Sequence, residues 1–158
     1  MIDRSIEPSP GLGPAVVVDT DVYSRIVLPG RGRRAAHPER ADWQEALMGQ
    51  RLLIAVQTRV ELLSMPLLSR NPWSEARIKE LADHVAGLSI LQVTDEVQTT
   101  FVTLTGSLRS GGHALGDKVH TGDRWIAATA LAHGLPIASM DGIFEGVPGL
   151  GLVRPDAE

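Results

Sequence analysis

The chain has 158 residues, of which 43% are apolar and 22% charged, and its formal net charge is −4. This length and composition fit one globular domain with its own core and exclude a disordered chain. The negative net charge argues against nucleic-acid binding by bulk attraction to phosphate, but it does not exclude a nuclease. Cysteine is absent, which excludes a disulfide framework, a thiolate metal site and a cysteine nucleophile.

The N-terminal residues 1–14 contain no sustained apolar run and predict a flexible tail, followed by a single domain over residues 15–158. No later apolar run reaches the roughly 18 residues that span a bilayer. We therefore expect a cytoplasmic protein without membrane contact.

Short apolar runs along the chain predict β-strands. In chain order they are Ala15–Val18, Leu52–Val56, Leu88–Val93, Leu135–Ser139 and Gly151–Val153. Between them, helix-forming segments are predicted at Glu39–Met48, Ser74–Val85, Glu96–Leu108 and Asp123–Ala132. Ser74 and Thr94 are placed as helix starts, and the spacing of Thr58 and Glu61 is that of a capping box.

This alternation of strands and helices predicts an α/β fold with a mostly parallel sheet, right-handed crossovers and helices on both faces. Ligands of such sheets bind beyond the carboxyl ends of the strands. Asp19 and Asp141 each follow the end of a predicted strand. Their side chains are therefore candidates for a functional site at that edge.

Four acids, Asp19, Glu61, Asp123 and Asp141, stand at the ends of predicted elements, and each has an ordinary structural explanation. Asp19 and Asp141 suit turns, Glu61 suits the capping box, and Asp123 suits a helix N-terminus. Brought to one edge, two carboxylates about 5 Å apart would repel by roughly 3 kcal/mol at an effective dielectric near 20. Such a cluster requires protons or cations, and Mg²⁺ or Mn²⁺ is the natural partner of carboxylate oxygens.

The most specific pattern lies in the last third of the chain. It reads GHAL from Gly112, HTGDRWIAATA from His120, GLPI from Gly134 and DGIF from Asp141. With Asp19-Thr20 and Val60-Glu61-Leu62 earlier in the chain, these motifs resemble the PIN-domain ribonucleases, and in particular the VapC-like toxins of bacterial type II toxin–antitoxin pairs. The resemblance covers roughly residues 15 to 154.

The resemblance implies a three-layer α/β/α sandwich and metal-assisted hydrolysis of RNA phosphodiester bonds. Carried over to this chain, it makes Asp19 and Asp123 the principal magnesium ligands, with Glu61 and Asp141 completing the acidic cluster. It also implies a homodimer whose activity is inhibited by a small antitoxin.

Three further features extend these expectations. Asp21 stands where the family often has Asn or Ser, and Asp117 is a further candidate member of the acidic cluster. The basic run at Arg31, Arg33 and Arg34 is either a solvated loop or a contact for RNA phosphates.

Two alternative functions remain open from the sequence. Val18-Asp19-Thr20-Asp21 also resembles the start of the haloacid-dehalogenase-like phosphatases, in which Asp19 would be a nucleophile and Asp21 an acid. The second alternative is a catalytically inactive PIN-like module that only binds a partner. The presence of all four acids argues against it.

Overall fold

The computed structural model describes residues 13–28 and 38–156. The basic run Arg31, Arg33 and Arg34, and most of the expected N-terminal tail, lie outside these residues. The described structure begins slightly before the first strand, since the carbonyl of Pro14 accepts a hydrogen bond of 2.8 Å from the backbone N–H of Arg51.

Strands and helices alternate through most of the described chain, as the sequence predicts. The strands are β1 (Ala15–Val18), β2 (Arg51–Ala55), β3 (Ile90–Leu91), β4 (Ile137–Ala138) and β5 (Leu152–Val153). The helices are α1 (Thr20–Val22), α2 (Arg40–Leu47), α3 (Val56–Leu68), α4 (Glu75–Ala86), α5 (Asp95–Ser110) and α6 (Thr121–Ala132). Short 3₁₀ turns lie at Ala114–Gly116, Lys118–His120 and Gly142–Phe144.

The five strands form one sheet in the order β3-β2-β1-β4-β5, with every described pair parallel. The chain moves outward from β1 to β3 and then crosses to the other side of β1 with β4. The junction of β1 and β4 is therefore the point where the strand order reverses, and open parallel sheets bind their ligands at that point, beyond the strand ends.

Helices cover both faces of the sheet, which gives the expected three-layer α/β/α sandwich. In β1, the side chains of Val16 and Val18 join the core beneath α1 to α4, and Val17 points into the core beneath α5 and α6. This alternation follows from the period of two in a strand. All three valines are fully buried, as a central parallel strand requires.

Two of the three predicted helix starts are confirmed. The side chains of Ser74 and Thr94 accept hydrogen bonds from the backbone N–H groups of Arg77 and Val97. The capping box at Thr58 is wrong, because α3 begins at Val56 immediately after β2 and Thr58 is buried within the helix. The observed strands β3, β4 and β5 are also shorter than predicted.

A π-helical turn over Tyr23–Val27 continues α1, and no sequence pattern had indicated it. The Tyr23 side chain is buried, and its hydroxyl lies 2.7 Å from Nε2 of His84 on α4. Burial raises the pKa of Tyr23 to about 12, so the phenol stays protonated, and the contact joins the π-helical turn to α4 as a hydrogen bond.

None of the helices within residues 13–28 and 38–156 is long and apolar enough to cross a membrane.

The segment before α6 is fixed by two arginines. Nη1 of Arg124, a side chain with only 3% exposure, donates to the carbonyls of Leu115 at 2.8 Å and Asp117 at 3.0 Å. Nε of Arg109 donates to the carbonyl of Gly116 at 2.9 Å. These bonds hold the turn that leads into the first residues of α6.

We expect Arg124→Ala to lower the free energy of unfolding by about 2–4 kcal/mol, because it removes charge-assisted hydrogen bonds to the carbonyls of Leu115 and Asp117 and leaves a cavity. Urea unfolding followed by circular dichroism measures the change. Arg59→Ala, on the exposed surface of α3, is the control and should change stability by less than about 0.5 kcal/mol. Equal stability of the two variants would contradict the anchoring role of Arg124.

Candidate active site at the carboxyl edge of the sheet

Asp19 lies directly beyond β1 and is the most deeply buried acid of the site, with 4% exposure. Its Oδ1 accepts a 2.8 Å hydrogen bond from the backbone N–H of Val22, so the side chain caps α1. Its backbone N–H donates to the carbonyl of Ala138 at the end of β4. Asp19 therefore occupies the junction between β1 and β4.

Ser139 connects Asp19 to Asp141. Its Oγ accepts a 3.0 Å hydrogen bond from the backbone N–H of Asp141, and its hydroxyl, as a donor to the Asp19 carboxylate, acts to lower the pKa of Asp19. Oδ1 of Asp141 accepts from the N–H of Ile143 at 3.0 Å and starts a 3₁₀ turn. The Asp141 side chain is exposed, while Ser139 is fully buried.

Glu61 is held through both of its carboxylate oxygens. Oε1 accepts a 2.7 Å hydrogen bond from Nε2 of Gln57, one turn earlier on α3. Oε2 accepts a short hydrogen bond from the hydroxyl of Thr20 on α1. Glu61 thus does not reach back to the start of its helix, as a capping box would require; it points toward α1.

Asp123 lies in the first turn of α6, and its Oδ2 is 3.2 Å from Nδ1 of His120. The neighbouring Gly122 brings this turn against α3. A Cβ at Gly122 would lie 3.0 Å from Nε2 of Gln57 and 3.1 Å from Oε1 of Glu61. A larger residue at position 122 would therefore require the Gln57 and Glu61 side chains to shift, so glycine favours this close approach of α6 to the Glu61 carboxylate.

The four acids are electrostatically coupled. Burial raises the pKa of Asp19 from 3.8 to about 6, repulsion from Asp21 and Asp123 adds to the shift, and the hydrogen bonds from Ser139 and Val22 oppose it. Burial also raises the pKa of Asp123, and repulsion from Glu61 and Asp141 acts in the same direction against the contact with His120. Asp123 is thus the acid that interacts with the other three.

The donor set fits a hard divalent cation. It consists of carboxylate oxygens, and a cation would offset the repulsion and burial that raise the pKa values of Asp19 and Asp123. In the described part of the chain, no three carboxylate or imidazole groups converge closely enough to form a preformed metal site. A bound cation would have to draw the acids closer together.

The other candidate acids occupy different positions. Asp21 is exposed in the first turn of α1 and acts on the neighbouring Asp19. Asp117 is also exposed, but its charge acts on Arg124 and is not among the causes of the shifts at Asp19 and Asp123. The structure therefore places Asp21 beside the cluster and gives no comparable coupling for Asp117.

Sequence reasoning missed the polar residues that orient the acids, namely Thr20, Gln57, His120 and Ser139. Gln57 carried a usable signal, because it stands four residues before Glu61 and residues with this spacing meet on a helix surface. His120 precedes Asp123 by three residues, which is a similar signal. Ser139 carried none, since its contact with Asp19 depends on the pairing of β4 with β1.

Comparison with known proteins gives one consistent family. The family model described as "PIN domain" matches residues 16–150. The protein "VapC ribonuclease Y4jK" of Sinorhizobium fredii (strain NBRC 101917 / NGR234) is 28% identical over 147 residues, which cover 89% of this chain and 96% of that protein.

Solved structures share the fold. VapBC2 from Rickettsia felis, bound to a DNA fragment from its promoter, matches with a TM-score of 0.68 and 17% identity over 90% of this chain and 99% of that chain. DNA-bound VapBC from Salmonella typhimurium matches with a TM-score of 0.65 and 17% identity over 89% of this chain and 96% of that chain. These likenesses agree with the three-layer architecture.

The raised pKa of Asp19 predicts how the stability of the metal-free protein changes with pH. Because the folded state binds this proton more tightly than the unfolded chain, stability falls as pH rises from 3.8 through about 6 and stays lowered above that range. Asp19→Asn keeps an oxygen for the Val22 N–H and removes the charge. We expect it to raise the free energy of unfolding by about 1–3 kcal/mol at pH 7.5 and by little near pH 4.

Urea unfolding in the presence of a chelator at pH 4, 5 and 7.5 measures this effect. Asp21→Asn is the matched control, and its exposed side chain should give a much smaller change. A metal-free Asp19→Asn variant that is less stable than wild type at pH 7.5 would contradict the electrostatic account.

Proposed function

The chain belongs to the PIN domain family, and we therefore propose that it is a magnesium-dependent endoribonuclease, the toxin of a type II toxin–antitoxin pair. The observation that carries this proposal is the placement of Asp19 at the junction of β1 and β4 and of Asp123 in the turn of α6 that Gly122 brings against Glu61. The charges of Glu61 and Asp141 act on Asp123, and that of Asp123 acts on Asp19. The similarity to a VapC ribonuclease supports RNA as the substrate. An RNA-cleaving enzyme of this kind would act in the cytoplasm.

Mg²⁺ or Mn²⁺ would be held by Asp19 and Asp123, with Glu61 and Asp141 completing the acidic site. When bound, such an ion lowers the pKa of a water molecule and stabilises charge on the leaving oxygen. At neutral pH, Asp19 is mostly ionised despite its pKa of about 6, so its oxygens are available as ligands.

The remaining side chains orient these acids. Thr20 and Gln57 fix the plane of the Glu61 carboxylate, whose remaining lone pairs are free to orient a water molecule. His120 restrains Asp123 through Oδ2. In this proposal no side chain attacks the phosphorus, and the residues bind, hold and orient.

Phosphate binding is assigned to a different part of the chain. The buried guanidinium of Arg124 donates to backbone carbonyls and points into the protein, so it is not a phosphate ligand. We propose Arg31, Arg33 and Arg34, which lie outside the described residues, as contacts for the RNA backbone.

The phosphatase alternative fits these contacts poorly. That alternative uses only Asp19 and Asp21, and it leaves without a role the acids whose charges act on Asp123, which are Glu61 and Asp141. The inactive-module alternative leaves unexplained the repulsion that acts on Asp123 from Glu61 and Asp141, and the neutral donors that hold Asp19 and Glu61.

We expect Asp19→Asn and Asp123→Asn each to lower the rate of RNA cleavage with Mg²⁺ or Mn²⁺ by about 100-fold or more, because each removes ligand charge worth several kcal/mol. Cleavage of labelled RNA by purified protein measures the loss. Asp95→Asn, an exposed acid at the start of α5, is the matched control and should retain wild-type cleavage.

Wild-type rates in both site variants would refute the four-acid mechanism. Hydrolysis of a small phosphomonoester with Mg²⁺ separates the phosphatase from the nuclease, since the nuclease proposal requires essentially no hydrolysis of that substrate.

The proposed partners are an RNA substrate, a second copy of the chain and a small antitoxin. The solved relatives include toxin–antitoxin complexes, which supports the antitoxin. An arginine of the antitoxin could pair with the acidic cluster in a bidentate manner and replace the charge of the metal.

Expression of the chain alone should therefore arrest bacterial growth, because an uncontrolled ribonuclease damages its own cell. Co-expression of a small protein from the adjacent upstream reading frame should relieve the arrest, and Asp123→Ala should remove the toxicity without any antitoxin. Growth curves at matched expression levels measure both effects. If the lone chain is harmless and cuts no RNA with either metal, the binding-module alternative takes the place of the toxin.

A further inference from the structure

Arg154, just beyond β5, holds the loop that carries Asp141 at three points. Its Nε donates to the carbonyl of Ser139 at 3.3 Å, and its Nη2 donates to the carbonyl of Asp141 at 3.0 Å. Its Nη1 forms a 2.6 Å ion pair with Oε1 of Glu145. One guanidinium therefore contacts the beginning, the middle and the end of the loop over residues 139–145.

Strand register places Arg154 beside this loop. Ala138 pairs with Val153 in the parallel strands β4 and β5, so Ser139 and Arg154 are the next residues along the two strands. The chain between β4 and β5 must leave the sheet and return, which makes residues 139–151 a loop with no strand partner of its own. The planar fork of arginine suits several acceptors that lie on one side of it.

A second contact joins the same loop to the segment before α6. Nδ1 of His113 accepts a 3.1 Å hydrogen bond from the backbone N–H of Leu115, which places the ring proton on Nε2. That Nε2–H then donates to the carbonyl of Glu145 at 2.6 Å. Glu145 is thus held through its side chain by Arg154 and through its backbone by His113.

We infer that Arg154 is a positioning residue for the Asp141 carboxylate. The inference rests on the proposed function, since it assigns a purpose to the position of Asp141 relative to Asp123. Asp141 is the exposed acid of the four, and it follows a two-residue strand, so its position depends on what holds the loop. Arg154 holds the loop at the carbonyl of Asp141 itself, and Ser139 holds it at the Asp141 N–H.

The exposure of the ion pair separates positioning from stability. The side chains of Arg154 and Glu145 are 34% and 61% exposed, and surface pairs of this kind contribute little to folding. If Arg154 only stabilised the fold, its substitution would therefore change loop exchange and metal affinity only slightly. A positioning role gives a selective effect on the loop and on metal affinity.

The test uses Arg154→Gln, Arg154→Lys and Glu145→Gln in the full chain. Hydrogen–deuterium exchange of residues 139–145 reports on the loop, and calorimetric titration with Mn²⁺ alone reports on the site. We expect Arg154→Gln to speed loop exchange and weaken Mn²⁺ binding about tenfold, the lower end of what outer contacts contribute at metal sites. Lysine should not restore either value, because its three donors share one nitrogen and cannot reach the acceptors that Nε, Nη1 and Nη2 of the planar guanidinium contact separately.

Lys79→Gln is the matched control, because it breaks a 2.6 Å ion pair with Asp83 on the exposed surface of α4. It should leave loop exchange, Mn²⁺ affinity and RNA cleavage at wild-type values. If Arg154→Gln does not fold, Glu145→Gln removes the same ion pair from its exposed side and should give a smaller change of the same kind.

The outcomes distinguish this inference from the proposed function. Unchanged loop exchange in Arg154→Gln overturns the positioning role whatever the activity of the protein. Faster loop exchange with wild-type Mn²⁺ affinity and cleavage also overturns it, because the loop would then not serve the site. A wild-type chain that binds no Mn²⁺ and cuts no RNA overturns the proposed function, even where loop exchange responds to Arg154.

Discussion

A carboxylate buried at the end of the central strand sets the requirements for the rest of the site. Asp19 is almost fully withdrawn from water, and burial is the largest cause of its raised pKa. Two donors offset part of this cost, the N–H of Val22 and the hydroxyl of Ser139. Those donors are present only because α1 starts immediately after β1 and because β4 pairs with β1. The pairing of β4 with β1 and the start of α1 therefore both determine how the Asp19 side chain is held.

The groups that hold three of the acids in place are neutral and leave the negative charge of the carboxylates uncompensated. Asp19, Glu61 and Asp141 accept their described hydrogen bonds from backbone N–H groups, hydroxyls and an amide, all of which are neutral. A neutral donor orients a carboxylate and partly replaces water, but it leaves the net charge available to a cation. The described arginines near the site instead donate to backbone carbonyls or, for Arg154, to Glu145. This division suits a site that acts through its negative charge.

The sequence was sufficient for most of the helices and the approximate positions of the strands, because both follow from hydrophobic periodicity and from caps such as Ser74 and Thr94. It failed at Thr58, since nothing local distinguishes a capping box from a helix that starts two residues earlier. The candidate acids were all visible as residues at element ends. Their grouping was not derivable from local pattern, because it depends on the order β3-β2-β1-β4-β5, and the resemblance to a family supplied the missing information.

The contacts around the site form a continuous path from one proposed metal ligand to the other. Asp19 is joined through Ser139 to the Asp141 loop, and that loop is joined through Glu145 to His113. From there, the carbonyls of Leu115 and Asp117 are fixed by Arg124, the residue after Asp123. Nearly every step is a hydrogen bond to a backbone group, so His113 and Arg124, which do not contact the acidic side chains, help to determine where the backbone carries them. Helices and the sheet carry Asp19, Glu61 and Asp123, whereas Asp141 lies on a loop that is held both by the burial of Phe144 and by the polar contacts of Ser139, Arg154 and His113.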